Sequence, residues 1–280
     1  MFEKKSVPSE FNIEDGILVS YSGDSNIVTI PDGVNCILDQ AFFRKDHVIS
    51  LTIPDGVTEI GKYAFYRMTG LRELKLPASL ESIGEYAFST LFVQEIEMPK
   101  NVKVIPNNCF NYNFYLKRLK LNDGLVEIGN DAFCVCGALT ELTIPKTVKR
   151  IGDSAFCRCS SLKKLTLHEG LEIIDSGAFR FAESLTEITI PSSVKQISRF
   201  AFQGCEKLTK LTIKSGVESI GFEAFGGCNM LREVYIPSTV KEISADAFRS
   251  EKGLTIICDD PKSIPDGWKL DKKIKLKARQ

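Results

Sequence analysis

Residues 142–165 read LTIPKTVKRIGDSAFCRCSSLKKL, and the same pattern returns at a fixed spacing along nearly the whole chain. Its clearest mark is an alanine–phenylalanine pair. Phe42, Phe65, Phe88, Phe110, Phe133, Phe156, Phe179, Phe202, Phe225 and Phe248 are 23 residues apart in eight of nine intervals and 22 apart once. Nine of the ten follow an alanine, and Phe110 follows Cys109. Five residues before each ring stands an isoleucine, from Ile37 to Ile243. Most units open on a proline (Pro31, Pro54, Pro77, Pro99, Pro145, Pro191, Pro237), replaced elsewhere by Asn122, His168 and Lys214. The consensus is PxxVxxIGxxAFxxCxxLxxLxI.

A unit of this length holds a few strand-forming residues and one tight turn, so it cannot bury its own apolar face and must stack on its neighbours. In LTIPDGV (51–57) and LTIPKTV (142–148), the alternation L-x-I directs two side chains to one face of a short strand. Stacking turns these strands into a parallel sheet. IGKYAFYR (60–67) suits a single helical or 3₁₀ turn with its alanine and phenylalanine inward. The predicted fold is an α/β repeat solenoid, one elongated domain of about ten 23-residue coils with a parallel sheet on one face and short helical turns opposite. At ~4.8 Å per coil it would be roughly 45–50 Å long.

An open stack exposes strand edges and a sliced core, so its ends need covers. FNIEDGILVSYSGDSNIVTI (11–30) holds two turn signals between apolar runs, and residues 1–30 read as a capping hairpin followed by the first strand. The solenoid proper takes residues 31–255. Residues 256–268 read as a C-terminal cap, with the lone tryptophan, Trp268, over the last coil. Residues 269–280 carry six basic side chains and one acid and read as a solvated strand or linker.

The unit LTIPxxVxxIGxxAFxxCxxL resembles the BspA-like class of leucine-rich repeats, across about residues 11–268. The resemblance implies a curved stack with the sheet on its concave face, often within a longer exported protein of the bacterial surface, and a role in adhesion and protein binding. It supplies no catalytic residues. The expected location is extracellular or cell-surface, although MFEKKSVPSEF at the N-terminus lacks the apolar core of a signal peptide.

Composition narrows the function classes. With 36 basic against 36 acidic residues, 43% hydrophobic and 26% charged, the chain reads as a folded soluble protein, not a basic nucleic-acid-binding domain. No apolar run approaches the ~20 residues of a membrane helix. Nine cysteines cannot all pair within one molecule. Cys136, Cys159, Cys205 and Cys228 share an offset with Met68, Leu91 and Ala182, and this apolar column reads first as core filling. The sharper alternative makes CVC (134–136) and CRC (157–159) a four-thiol metal site, against the usual C-x₂₋₄-C spacing. A Cys136–Cys159 disulfide is also compatible with stacked coils. His47 and His168 lie at different offsets, far apart in the stack, and there is no P-loop or GxSxG elbow. The expectation is a protein with no enzymatic activity, no cofactor and no metal.

The outward residue before the last leucine of each unit runs Ser50, Glu73, Glu95, Arg118, Glu141, Lys164, Glu187, Lys210, Glu233, alternating in sign from Glu95 onward. Glu81, Lys103, Val126, Lys149, Glu172, Lys195, Glu218 and Lys241 form a second alternating column. Such ladders neutralise themselves and leave no strong field for nucleic acid.

The third and fourth units differ. One residue is missing between Phe88 and Pro99, Glu73 and Glu95 are like charges with Glu97 alongside, and the loops carry Phe92, Tyr112, Phe114 and Tyr115. Other units put Thr69-Gly70, Gly137-Ala138 or Ser160-Ser161 at the offsets of Phe114 and Tyr115. Large rings more often pack than recognise, so filling the gap left by the short unit is the first expectation. The functional alternative is a hot spot for another protein (host matrix, cell-surface or bacterial envelope) or a glycan, with Glu73, Phe92, Glu95, Glu97, Tyr112, Phe114 and Tyr115 as its candidate residues. A second reading of the whole chain is a rigid spacer that displays another domain.

Overall fold

The computed structural model describes residues 9–244, 246–249, 253–261 and 274–279. The L-x-I segments form short parallel strands, among them Ile27–Thr29, Ser50–Thr52, Glu141–Thr143, Lys164–Thr166, Glu187–Ile190, Lys210–Ile213 and Glu233–Tyr235. Their register is one repeat: Leu142 faces Leu165, and Thr189 faces Thr212. The leucines and isoleucines turn inward, the charged and threonine side chains outward. A second parallel ladder is built from two-residue strands ending in the repeat isoleucine, from Cys36–Ile37 to Glu242–Ile243. The hairpin strand Ile17–Tyr21 adds a rung by pairing Leu18 with Ile37, giving a parallel-sheet solenoid of about eleven turns.

Inside, the phenylalanines make one column. From Phe42 to Phe248 successive ring centroids lie 5.2–5.5 Å apart, with interplanar angles of 3–24°. The small residue before each ring, alanine or, before Phe110, Cys109, gives the room for this offset stacking. The repeat valines, leucines and isoleucines are buried beside it. Each such side chain contributes about 1.5–3 kcal/mol when withdrawn from water.

The face opposite the sheet departs from expectation. Among the described residues of the repeats the AF segments are runs of tight turns rather than helical or 3₁₀ turns. The cause is two left-handed residues in most coils, two before and two after the phenylalanine, such as Asp131 (φ 53°) and Val135 (φ 65°), then Ser154 (φ 55°) and Arg158 (φ 60°). They aim alternate N–H groups out of the coil. Asp131, Phe133 and Val135 donate to Asp153, Ala155 and Cys157 of the next coil at 2.7–2.8 Å, while Cys134 and Cys136 donate three residues back within their own. A left-handed residue with a side chain costs about 1–2 kcal/mol. The cost is offset here by a third inter-coil ladder that a helical turn would forgo.

At the N-terminal end Phe11–Glu14 and Ile17–Tyr21 form the antiparallel hairpin around Asp15 (φ 49°) and Gly16 (φ 81°), the paired positive φ of a type I′ turn. Phe11 and Tyr21 extend the ring column to Phe42, with centroids 5.0 and 4.9 Å apart. At the other end Thr255–Cys258 continues the sheet, and Lys275–Ala278 pairs with it in parallel. Trp268, expected over the last coil, lies outside the described residues.

Two of the three ladders lapse at the short unit. Ser82–Ile83 ends one isoleucine-strand sheet and Val104–Ile105 begins the next. In the flanking coils Gly84 N–H donates to Ile60 O (2.7 Å) and Gly129 N–H to Ile105 O (2.8 Å). Pro106 stands at the same offset and has no N–H to offer Ile83. On the sheet face Glu73 makes a lone bridge to Ser50, and Glu95–Glu97 pairs with Arg118–Lys120 but not with the coil before. Asn113 bridges the fault from inside. Fully buried, its Oδ1 accepts from Leu91 N–H (2.6 Å) and its Nδ2 donates to Phe88 O (3.1 Å).

Candidate functional site

The irregular coils carry the candidate rings on the flank between turn face and sheet face. Phe92 and Phe114 stand four residues after their column phenylalanines, with Tyr115 one further. Tyr112 is left-handed (φ 58°) and donates its N–H to Cys134 O at 2.8 Å, which fixes it on the turn face. The rings meet in two pairs: Phe92 and Tyr115 with centroids 4.9 Å apart, and Tyr112 and Phe114 edge-on at 5.9 Å. The Arg72 guanidinium lies over Phe92 at 5.6 Å, a contact that sequence reading missed because Arg72 belongs to the preceding coil.

These rings do not fill the gap left by the missing residue. Leu91 and Asn113, at the inward column offset, are fully buried, whereas Tyr112, Phe114 and Tyr115 are 47%, 46% and 52% exposed. Only Phe92 is half-buried. Aromatic surface left in water at this density is costly to a monomer and useful at an interface.

The three acids sit on the sheet. Glu95 is paired with Arg118, and Glu97 with Lys120 at 2.5 Å, while Glu73 is exposed beside its backbone bridge to Ser50. Two of the three charges expected to flank the rings are therefore already answered by the next coil. Beyond the fault the alternating column stands in the expected register, Glu141 beside Lys164, Lys164 beside Glu187 and Glu187 beside Lys210. The second column pairs Lys149 with Glu172 at 3.2 Å and Lys195 with Glu218 at 3.5 Å. A stronger connection was not legible beforehand: Arg150 reaches Glu127 and Asp175, each at 2.6 Å, and ties three coils together.

The cysteine column is buried as core filling requires, and it also bonds. Cys136, Cys159, Cys205 and Cys228 donate their thiols to the carbonyls of Phe110, Phe133, Phe179 and Phe202 in the preceding coils at 3.4–3.6 Å. Asn113 makes the same contact with Phe88 from the same offset. Burial pushes the Cys136 thiol up to about 12 and those of Cys109 and Cys159 well up too, which keeps them protonated. All nine cysteines are free thiols, and among the described residues no three or more His, Cys, Asp or Glu side chains are grouped to hold a metal ion.

The turn face holds two further aromatic groups. Phe43, Tyr63, Tyr66 and Tyr86 pack ring to ring over three coils. Arg180 lies over both Phe181 (4.7 Å) and Phe200 (5.1 Å), with Phe222 edge-on to Phe200. Their offsets lie immediately around the repeat phenylalanine, where the periodic signal of the ring itself masks them.

The profile described as BspA type leucine rich repeat region matches the chain in six copies, over residues 35–162 and 126–255. The chain belongs to this family. No curated protein matches it. A leucine-rich repeat protein from Bacteroides ovatus shares its fold at TM-score 0.56 and 23% identity, with 90% of this chain and 83% of that one covered. A leucine rich cell surface protein from Faecalibacterium prausnitzii aligns at TM-score 0.51 and 23% identity, covering 98% of this chain and 95% of that. A third, from Eubacterium ventriosum, gives TM-score 0.52 at 21% identity over 84% and 78%. The likeness is one of fold: leucine-rich repeat stacks of this kind are generally protein-binding and typically not enzymes. No helix among the described residues is long and apolar enough to cross a membrane.

Proposed function

We propose that this chain is a non-enzymatic binding or adhesion module of a bacterial surface or secreted protein, and that it engages another protein or a glycan through Tyr112, Phe114, Tyr115 and Phe92, with Glu73, Glu95 and Glu97 at the margin. The observation that carries the reading is three aromatic rings, each about half exposed, gathered where two ladders lapse. Large rigid rings give binding area at small entropic cost. The extracellular assignment draws support from the Faecalibacterium prausnitzii relative, itself a cell surface protein. The test is capture from matrix, cell-surface and envelope extracts by the wild-type chain and by a folded Tyr112→Ala, Phe114→Ala, Tyr115→Ala variant. A partner retained by the first and lost by the second is the expected result. Equal capture by both would move the site elsewhere on the stack.

A second reading, the rigid spacer, is favoured by the unbroken phenylalanine column and the self-neutralising charge columns. Absence of any captured partner would support it over the binding module.

A further inference from the structure

We propose that Cys134 and Cys157 are a redox-active pair on the turn face, which closes into a reversible inter-coil disulfide by exchange with a small-molecule disulfide. Both stand one residue after a column phenylalanine, in successive coils. The turn-face ladder locks them in register through Val135 N–H donating to Cys157 O at 2.7 Å. Stacked positions at ~4.8 Å fall inside the Cα range that a disulfide spans.

The setting of this pair differs from that of the inner cysteine column. Cys134 is half-buried and Cys157 is 9% exposed at the outer face, whereas Cys136, Cys159, Cys205 and Cys228 are inside with their thiols committed to carbonyls. The Cys134–Cys136 and Cys157–Cys159 runs therefore split into an outer pair and an inner pair. The two outer thiols interact across the coil boundary. The Cys134 thiol, with the Arg180 and Arg158 charges and against the opposing effect of burial, draws the Cys157 thiol below its ordinary range and favours it as the nucleophile. Asp131 lies beside Cys134, and burial and the Asp153 charge raise its carboxyl, which makes it a better proton acceptor.

The exchange balances as follows. The Cys157 thiolate attacks one sulfur of the incoming disulfide and expels the first thiolate. Cys134 then passes its proton through Asp131 to solvent, attacks Cys157 Sγ and expels the second. Two protein thiols lose two electrons and two protons, and one small disulfide becomes two thiols.

The test uses the whole folded chain incubated with oxidised glutathione, followed by alkylation of free thiols, tryptic digestion without reduction and mass spectrometry. Cleavage after Arg158 places Cys157 and Cys159 on different peptides, and a Cys136→Ala variant identifies the partner on the other side. The expected product joins the Cys157 peptide to the one holding Cys134, lighter by two hydrogens and cleaved by dithiothreitol. Cys134→Ser should instead trap a glutathione adduct on Cys157, and Cys157→Ser should form no cross-link. A lasting adduct on wild-type protein, a cross-link through Cys159, or no reaction at either outer thiol would each overturn the proposal.

Discussion

Between residues 141 and 243 all three inter-coil ladders run unbroken, whereas between residues 72 and 120 two of them lapse and the turn-face bonds, the ring column and the Asn113 clamp pass through. The phenylalanine rings do not register the difference: Phe88 and Phe110 sit 5.2 Å apart, as do Phe133 and Phe156. What changed is a single residue of coil length and one amide, that of Pro106. A ladder bond needs an N–H at one defined place, while ring stacking needs only volume at roughly the right height. The core therefore tolerates an irregular coil that the sheets do not. The same irregular coil is where aromatic side chains reach water.

The largest expected effect comes from breaking the column on either side of this boundary. Phe179→Ala and Phe110→Ala should each cost about 3–5 kcal/mol. In the regular region two sheet ladders still tie the coils together, so Phe179→Ala should lower a single unfolding transition. At Phe110 only the ring column, the turn-face bonds and Asn113 cross the fault, and loss of the ring should split denaturant unfolding into two transitions. Circular dichroism with hydrogen exchange resolved by segment would tell them apart. One coincident transition for Phe110→Ala would mean that the turn-face bonds suffice to couple the two halves.

Next in size is Asn113. Replacing it by alanine leaves Leu91 N–H and Phe88 C=O buried without partners, at about 1–3 kcal/mol each. Asn113→Cys restores the residue type usual in the column and with it a donor to the Phe88 carbonyl, but leaves the Leu91 amide orphaned. It should recover about half of the loss. If Asn113→Cys were as stable as wild type by urea denaturation, the amide clamp would not be what holds the short coil.

Much of this was legible beforehand, and the exceptions have physical reasons. The ring period, the isoleucine column and the Asp15-Gly16 hairpin gave the stack, its register and its first rung, because each depends on side-chain type at fixed spacing. The left-handed turn face was not legible, since Asp131, Val135, Ser154 and Arg158 share no residue type that marks positive φ. Helical turns were the natural expectation for AF flanked by polar residues. The candidate rings were found through their departure from consensus, but their exposure is a property of the folded flank that no pattern announced. The Arg72–Phe92 contact joins adjacent coils and emerges only when the coils are superposed.

A smaller effect sharpens the origin of the fault. Pro106→Ser supplies the missing amide while matching Ser244, which at the same offset donates its N–H to Ile220 O at 2.9 Å. The new bond to Ile83 O contributes about 0.5–1.5 kcal/mol, opposed by about 0.4–1 kcal/mol from the freer unfolded chain. Net stability should hardly move. The decisive readout is a newly slow-exchanging amide at position 106, and fast exchange there would place the cause in the 22-residue length instead.

The smallest expected effect tests whether the regular region's surface charges add to its continuity. Glu169 accepts from Ser192 and Ser193 and pairs with Lys214 at 2.8 Å, two coils away. The Lys214 hydrogen bond foremost, with those serines, lowers its carboxyl from 4.5 to about 2. A depressed carboxylate stabilises the fold above its unfolded pKa, and that stabilisation is lost as the pH falls from about 4.5 through 2. Lys214→Ala should therefore raise the Glu169 titration midpoint and cost stability at pH 7, a cost that fades as the pH falls through 2. Because both side chains are about half exposed, the cost at pH 7 should stay below about 1 kcal/mol and shrink with added salt. A Glu169 midpoint unmoved by the substitution in a carboxyl-carbon NMR titration would assign the depression to the two serines, and the bridge over two coils would then add nothing that the ladders do not already supply.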